Sequence, residues 1–133
     1  MAKKVLVVDD TKSIREIVAH LLRSRGYEVI EAADGLDAWE KATTQSPDLL
    51  VLDAMIPKMT GFEICEQMKK DERWRKIPIL MLTAMSRDSG KTDEFWREKS
   101  RADDFMSKPF RGTELVDRIV KLLGPDGAPE PKK

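Results

Sequence analysis

Val5-Leu6-Val7-Val8-Asp9-Asp10 is an unbroken apolar run, rich in β-branched residues, that stops at two acids. A strand buried on both faces reads this way, because neither side of it needs polar residues for water. The pattern returns at Leu49-Leu50-Val51-Leu52-Asp53 and over residues 77–82, which Thr83 follows. A shorter version, Phe105-Met106-Ser107, precedes Lys108-Pro109, and residues 27–32 supply one further strand. Helical spacing fills the gaps between them. Residues 13–25 carry Ile14, Ile17, Val18, Leu21 and Leu22, and Gly26 follows as a stop signal. Residues 35–45 form a second predicted helix, packed through Leu36, Ala38, Trp39 and Ala42. Thr60 with Glu63 three positions on has the capping-box spacing, and opens a third helix bearing Phe62, Ile64, Cys65 and Met68. A fourth helix is predicted over 92–99, and a fifth over 113–123 with Leu115, Val116, Ile119, Leu122 and Leu123.

Strand and helix therefore alternate five times. Parallel neighbours need helix-length crossovers, so the expected fold is α/β, a five-stranded parallel sheet flanked by five helices on its two faces. One domain is expected over residues 3–124. Residues 125–133, rich in proline and nearly devoid of apolar side chains, read as a disordered tail.

Composition narrows the function classes. The 133 residues include 41% hydrophobic and 36% charged, enough for one core under a heavily charged exterior. Lys plus Arg and Asp plus Glu both number 24, so no global charge points to nucleic acid or an anionic membrane. The lone Cys65 has no internal disulfide partner. The run 5–8 is too short for a signal-peptide core, no stretch approaches a membrane span, and a cytoplasmic location is expected. His20 reads as a helix-surface residue, and the basic cluster Lys69, Lys70, Arg73, Arg75 and Lys76, interrupted by Asp71 and Glu72, as a solvated connection.

The chemistry lies at the strand ends. In open α/β sheets, ligands bind outside the carboxyl ends of the strands. Asp9 and Asp10, Asp53, Thr83 and Lys108 all fall there, which brings three carboxylates, a hydroxyl and an ammonium to one edge. Singly each has an ordinary reading, as helix cap, loop residue or solvated charge; the joint placement is what scattered surface charge does not produce. Clustered carboxylates repel unless a cation neutralises them. Mg²⁺, or Mn²⁺ in its place, suits an all-oxygen site that also receives phosphate oxygens. A carboxylate there can act as nucleophile toward a phosphoryl group, giving an acyl phosphate. Lys108 would neutralise phosphoryl oxygens as a point charge.

Five segments, in order, carry a family resemblance: Val5 to Asp10 as quoted above, Asp48-Leu49-Leu50-Val51-Leu52-Asp53, Met55-Ile56-Pro57-Lys58-Met59-Thr60-Gly61-Phe62, Pro78-Ile79-Leu80-Met81-Leu82-Thr83-Ala84, and Asp104-Phe105-Met106-Ser107-Lys108-Pro109-Phe110. Together they make the chain resemble the CheY-like receiver domain of bacterial two-component response regulators. The resemblance implies a doubly wound sheet of order 2-1-3-4-5, with Asp53 as phosphoacceptor. It makes Asp10 a direct metal ligand, Asp9 a ligand through water, and the Met55 backbone carbonyl a further ligand beside Asp53. It also implies a phosphoryl-binding Lys108 followed by a cis Pro109, and a switch in which Thr83 moves to the phosphoryl group and Phe105 turns inward. Met55, Ala84 and Met85 would flank the phosphoryl group. Since neither methionine can orient an attacking water, a long-lived phosphorylated state is expected.

The implied partners are a sensor histidine kinase or phosphotransfer protein, and a downstream protein on the face made by the fourth helix, fifth strand and fifth helix. No nucleic-acid or membrane contact is implied, and the chain would be a monomer or a phosphorylation-driven homodimer. Its only catalysis would be self-phosphorylation and self-dephosphorylation. Two departures stand out: Phe105 replaces a frequent tyrosine, and Arg101-Ala102-Asp103 replaces a Gly-Ala-Asp entry to the fifth strand after a lengthened connection. A stand-alone receiver acting by protein contact is the expected function, with a piece of a longer regulator as the alternative. A flavodoxin-like cofactor binder or phosphohydrolase on a similar fold is the competing class. It is disfavoured because Asp9-Asp10-Thr11-Lys12 stands where a Gly-rich phosphate loop would be.

Overall fold

The computed structural model describes residues 3–83 and 101–124. Five strands, β1 (Lys4–Val8), β2 (Glu28–Ala32), β3 (Leu49–Asp53), β4 (Ile79–Thr83) and β5 (Asp104–Ser107), pair in parallel in the order β2-β1-β3-β4-β5. Four helices belong to the described residues: α1 (Lys12–Ser24), α2 (Gly35–Thr44), α3 (Gly61–Lys70) and α4 (Gly112–Leu123). The helix predicted over 92–99 lies outside the described residues, as does the tail 125–133, so α4 is the fifth helix of the sequence reading.

The two-residue period of a strand sorts the core. Val5 and Val7 of β1, with Leu49 and Val51 of β3, pack on Val18 and Leu22 of α1 and on Leu115, Val116 and Ile119 of α4. Leu6, Val8, Leu50 and Leu52 point the other way, into Ala38 and Ala42 of α2 and Ile64, Cys65 and Met68 of α3. Burial on both faces is why these strands show no polar alternation. Burial also pushes the Cys65 thiol up to about 11, which leaves it a core residue rather than a nucleophile.

Local signals behave as their chemistry dictates. The Thr60 hydroxyl accepts from the Glu63 N–H at 3.2 Å and opens α3. The packed-side expectation fails at Leu36, which is 58% exposed, and Ile17, one of the helically spaced apolar residues of α1, is 67% exposed. A 3.6-residue period marks a face only to within a residue or so, and these two fall at its edge. Trp39 is half-buried and meets Trp74 edge-on, with centroids 5.5 Å apart. The basic cluster is largely paired: Lys69 with Asp103, Lys70 with Glu66, Arg73 with Asp71. His20 is exposed.

Arg101 has φ 62. That left-handed region costs a residue with a β-carbon about 1 kcal/mol. The turn is fixed from both sides, since Asp103 exchanges backbone and side-chain hydrogen bonds with Ile79 at the start of β4 and takes the Lys69 ammonium at 2.7 Å. Arg101→Gly should therefore stabilise the fold by roughly 1 kcal/mol in urea unfolding, glycine being free of that cost. Leu50→Ala, at a fully buried position of the central strand, should cost about 2–5 kcal/mol in the same measurement.

Candidate functional site

The direction of chain progression reverses between β1 and β3, and the crevice of a doubly wound sheet opens there. Val8 lies opposite Leu52 in that ladder, so Asp9 follows β1 beside Asp53 at the end of β3. Both are buried, at 3% and 6% exposure, whereas Asp10 is exposed. One carboxylate oxygen from each of Asp9, Asp10 and Asp53 lies within 4.8 Å of the others. Lys108, just past β5, reaches back across the sheet and places its ammonium 2.8 Å from Asp9 Oδ2 and 3.0 Å from Asp53 Oδ2. The Lys108–Pro109 peptide that follows is cis.

Each carboxylate is also held by its own neighbourhood. Asp9 Oδ1 accepts from the Thr11 N–H at 2.9 Å, and the Asp9 N–H donates to the Ala32 carbonyl at 3.2 Å. Asp53 Oδ1 accepts from the Met55 N–H at 3.1 Å. The start of α3 lies tight behind this corner: Gly61 donates to the Ala54 carbonyl at 2.9 Å, and a β-carbon on Gly61 would overlap the Asp53 carbonyl.

Burial raises the Asp53 pKa above the ordinary carboxylate value; the Met55 N–H and Lys108 oppose this, and Asp9 adds to it. Burial acts to lower the Lys108 pKa, but its hydrogen bonds to Asp9 and Asp53 outweigh it and the pKa is raised. One ammonium shared between two buried acids stays charged itself without restoring to each acid the hydration it lost. Three hard oxygen donors, two of them buried and sharing one ammonium, fit a small divalent cation of the Mg²⁺ type, which Asp9, Asp10 and Asp53 could hold.

Thr83 ends β4 opposite Ser107 in the ladder with β5, which puts its backbone at the same edge. Phe105 is buried at 1% exposure among Met81, Ile79 and their neighbours. Met55 is 55% exposed beside the acidic site. Ala84 and Met85 lie outside the described residues. Arg15 escapes a sequence reading: its Nη1 donates to the Asp9 carbonyl at 2.8 Å and its Nε lies 3.4 Å from Glu31, which Arg23 also engages. Nothing in the order of residues distinguishes Arg15 from any solvated arginine of α1.

Fold and site thus define a doubly wound α/β domain whose ligand crevice is acidic and lysine-bridged. The response regulator receiver domain family matches residues 5–120, and the chain belongs to that family. It is 43% identical over 123 residues to the alkaline phosphatase synthesis transcriptional regulatory protein PhoP of Bacillus subtilis, covering 92% of this chain and 49% of that protein. The chain therefore spans about half the length of that relative. Among solved structures it resembles the chemotaxis response regulator CheY4 of Vibrio cholerae (TM-score 0.81, 34% identity, 92% of this chain and 99% of that one). It also resembles the receiver domain of sensor histidine kinase PA1611 from Pseudomonas aeruginosa, solved with magnesium coordinated in its active site cleft (TM-score 0.82, 27% identity, 93% and 99%).

The raised Asp53 pKa has a consequence for stability. As pH rises through the unfolded carboxylate's ordinary value, about 3.9, the unfolded state gives up its proton before the folded state does, and stability falls until Asp53 ionises in the fold. Above the folded-state pKa that cost is fully present. Asp53→Asn should accordingly melt higher than wild type at pH 7 in the presence of a chelator. The difference should vanish below the carboxylate range, and Mg²⁺ should narrow it by stabilising wild type more than the variant. Thermal melts of both proteins at several pH values check this.

Proposed function

We propose that the chain is a phosphorylation switch: Asp53 accepts a phosphoryl group from a phosphohistidine of a sensor kinase or phosphotransfer protein, in a Mg²⁺-dependent reaction. The observation that carries this reading is the Lys108 ammonium held on both Asp9 and Asp53, at the switch point of the sheet. An Asp53 oxygen attacks phosphorus, the P–N bond to the donor imidazole breaks, and its electron pair returns to the ring nitrogen. The product is an acyl phosphate on Asp53. Lys108 follows the charge from the carboxylate to the phosphoryl oxygens, a shift its flexible chain allows. Asp10, Asp53, the Met55 carbonyl and, through water, Asp9 are the groups that would hold Mg²⁺, which when bound supplies the positive charge that lets one anion approach another.

The product adds charge and acceptor oxygens at the carboxyl edge of β3 and β4, beside Thr83. In this reading the Thr83 hydroxyl moves toward the phosphoryl group; the sequence reading has Phe105 turn inward with it, but the ring is already buried in this structure, so phosphorylation would hold it there and fix the β5–α4 face that a downstream protein reads. A phenylalanine has no hydroxyl to keep at the surface, which favours the buried ring. The switch acts in the cytoplasm as a monomer or a phosphorylation-driven homodimer, and turns over no substrate other than its own phosphoryl group.

Incubation with acetyl phosphate, read by intact mass, tests the chemistry. Wild type should gain one phosphoryl group with Mg²⁺ and none with a chelator. Asp53→Asn should gain none, and Lys108→Ala should react about a hundredfold more slowly. Absence of any adduct on wild type under rapid sampling would overturn the reading. Decay of the adduct makes a second prediction: with methionine at 55 and 85 there is no side chain to orient water, so Met55→Asn should shorten the lifetime of the label in a chase experiment.

A further inference from the structure

The acidic site is built from strand ends and one loop, and the loop is the part the sheet does not hold. Residues 54–60 lead from the phosphoacceptor to α3. Within this loop the Met59 N–H donates to the Pro57 carbonyl at 2.9 Å across Lys58, whose φ is 73. A three-residue turn with a non-glycine residue in the left-handed region is strained and persists only where its surroundings support it.

The support comes from the start of α2. Gly35 N–H, which as an opening residue of the helix has no intrahelical acceptor, donates to the same Pro57 carbonyl at 2.9 Å. Asp34, whose Oδ1 caps α2 by accepting from the Asp37 N–H at 2.8 Å, offers its other oxygen to the Lys58 ammonium at 3.3 Å. The Met59 carbonyl lies so close to the Gly35 Cα that a β-carbon there would overlap it. Asp34 and Gly35 thus grip three successive residues of the loop, 57 to 59. Met55 itself has a largely solvent-exposed side chain. Its place is set by the Met55 N–H on Asp53, the buried Ile56, and this grip.

We propose that Asp34 and Gly35, at the start of α2, are positioning residues that clamp the 54–60 loop and so set how tightly the acidic site holds its divalent cation. The inference rests on the reading above, in which the Met55 carbonyl is a ligand. Mg²⁺ demands near-ideal octahedral geometry, so a ligand displaced with its loop weakens binding while leaving the carboxylates intact.

Direct calorimetric titration of the full chain with Mg²⁺ is the test, beside far-UV circular dichroism and thermal melts. Gly35→Ala should bind about tenfold more weakly, the usual scale for groups that orient ligands. Asp34→Asn keeps a cap acceptor and loses only the charge on Lys58, and should weaken binding about threefold, within the range of an exposed ion pair. Leu36→Ala, one residue further on and exposed, should match wild type. For both clamp variants the rate of labelling by acetyl phosphate should return to the wild-type value at saturating Mg²⁺, a split that simple loss of stability would not produce. Wild-type Mg²⁺ affinity in a folded Asp34→Asn and a folded Gly35→Ala overturns the clamp and leaves the phosphoacceptor reading standing. If Gly35→Ala does not fold, Asp34→Asn decides alone. Failure of wild type itself to bind Mg²⁺ overturns both.

Discussion

Val8 sits opposite Leu52 in the parallel ladder between β1 and β3, and so Asp9 and Asp53 leave the sheet side by side and buried. Side-chain period in a strand is two, so a slip of one residue in this register would turn Leu50 and Leu52 from the α2–α3 core toward α1 and α4. Hydrophobic sorting therefore fixes the register, and the register fixes the distance between the acids. The electrostatic cost of that arrangement is carried by apolar burial elsewhere. Lys108 offsets part of it by reaching from the far side of β4, which ties β5 to β1 and β3 through a charge rather than a ladder.

The shared ammonium also explains why the site is poised rather than satisfied. A fully compensated ion pair would hold Asp53 below the ordinary carboxylate value, yet its pKa is raised, because burial outweighs its donors. Arg15 places its guanidinium on the Asp9 carbonyl rather than on the carboxylate, so it braces the backbone and leaves both carboxylate oxygens to other partners. Glu31, between Arg15 and Arg23, keeps that guanidinium in place.

What the sequence could tell follows from which forces are local. Continuous apolar runs name β1, β3 and β4 because two-sided burial leaves a signature in consecutive residues. The Thr60–Glu63 cap lies within four residues and was equally legible. Asp9, Asp10, Asp53 and Lys108 could be gathered because strand ends of a parallel sheet share one edge, whatever the side chains do next. Leu36 does not pack as its spacing suggests, and Ile17 is exposed too, because a helical period cannot say how far the packed face extends. Arg15 and Gly35 were not legible at all. Their roles depend on a carbonyl of Asp9 and a carbonyl of Met59, and backbone atoms carry no sequence signal of the contacts they will make.

Gly35 and Arg101 show how the same backbone rule leads to opposite conclusions. At Arg101 the chain adopts φ 62 with a β-carbon present, so a side chain is tolerated at a cost in local energy. The obstacle there is torsional, and torsional cost is bounded at a kilocalorie or two. At Gly35 the obstacle is the Met59 carbonyl, and overlap with a backbone atom can be relieved only by moving the loop or the helix. A loop beside the acidic crevice cannot move without altering it, whereas the turn at 101 can hold a strained residue because Asp103, Lys69 and Ile79 pin it at the start of β4, away from the carboxyl edge of the sheet. Location relative to the acidic crevice, rather than the size of the local strain, decides which of the two positions function can afford to vary.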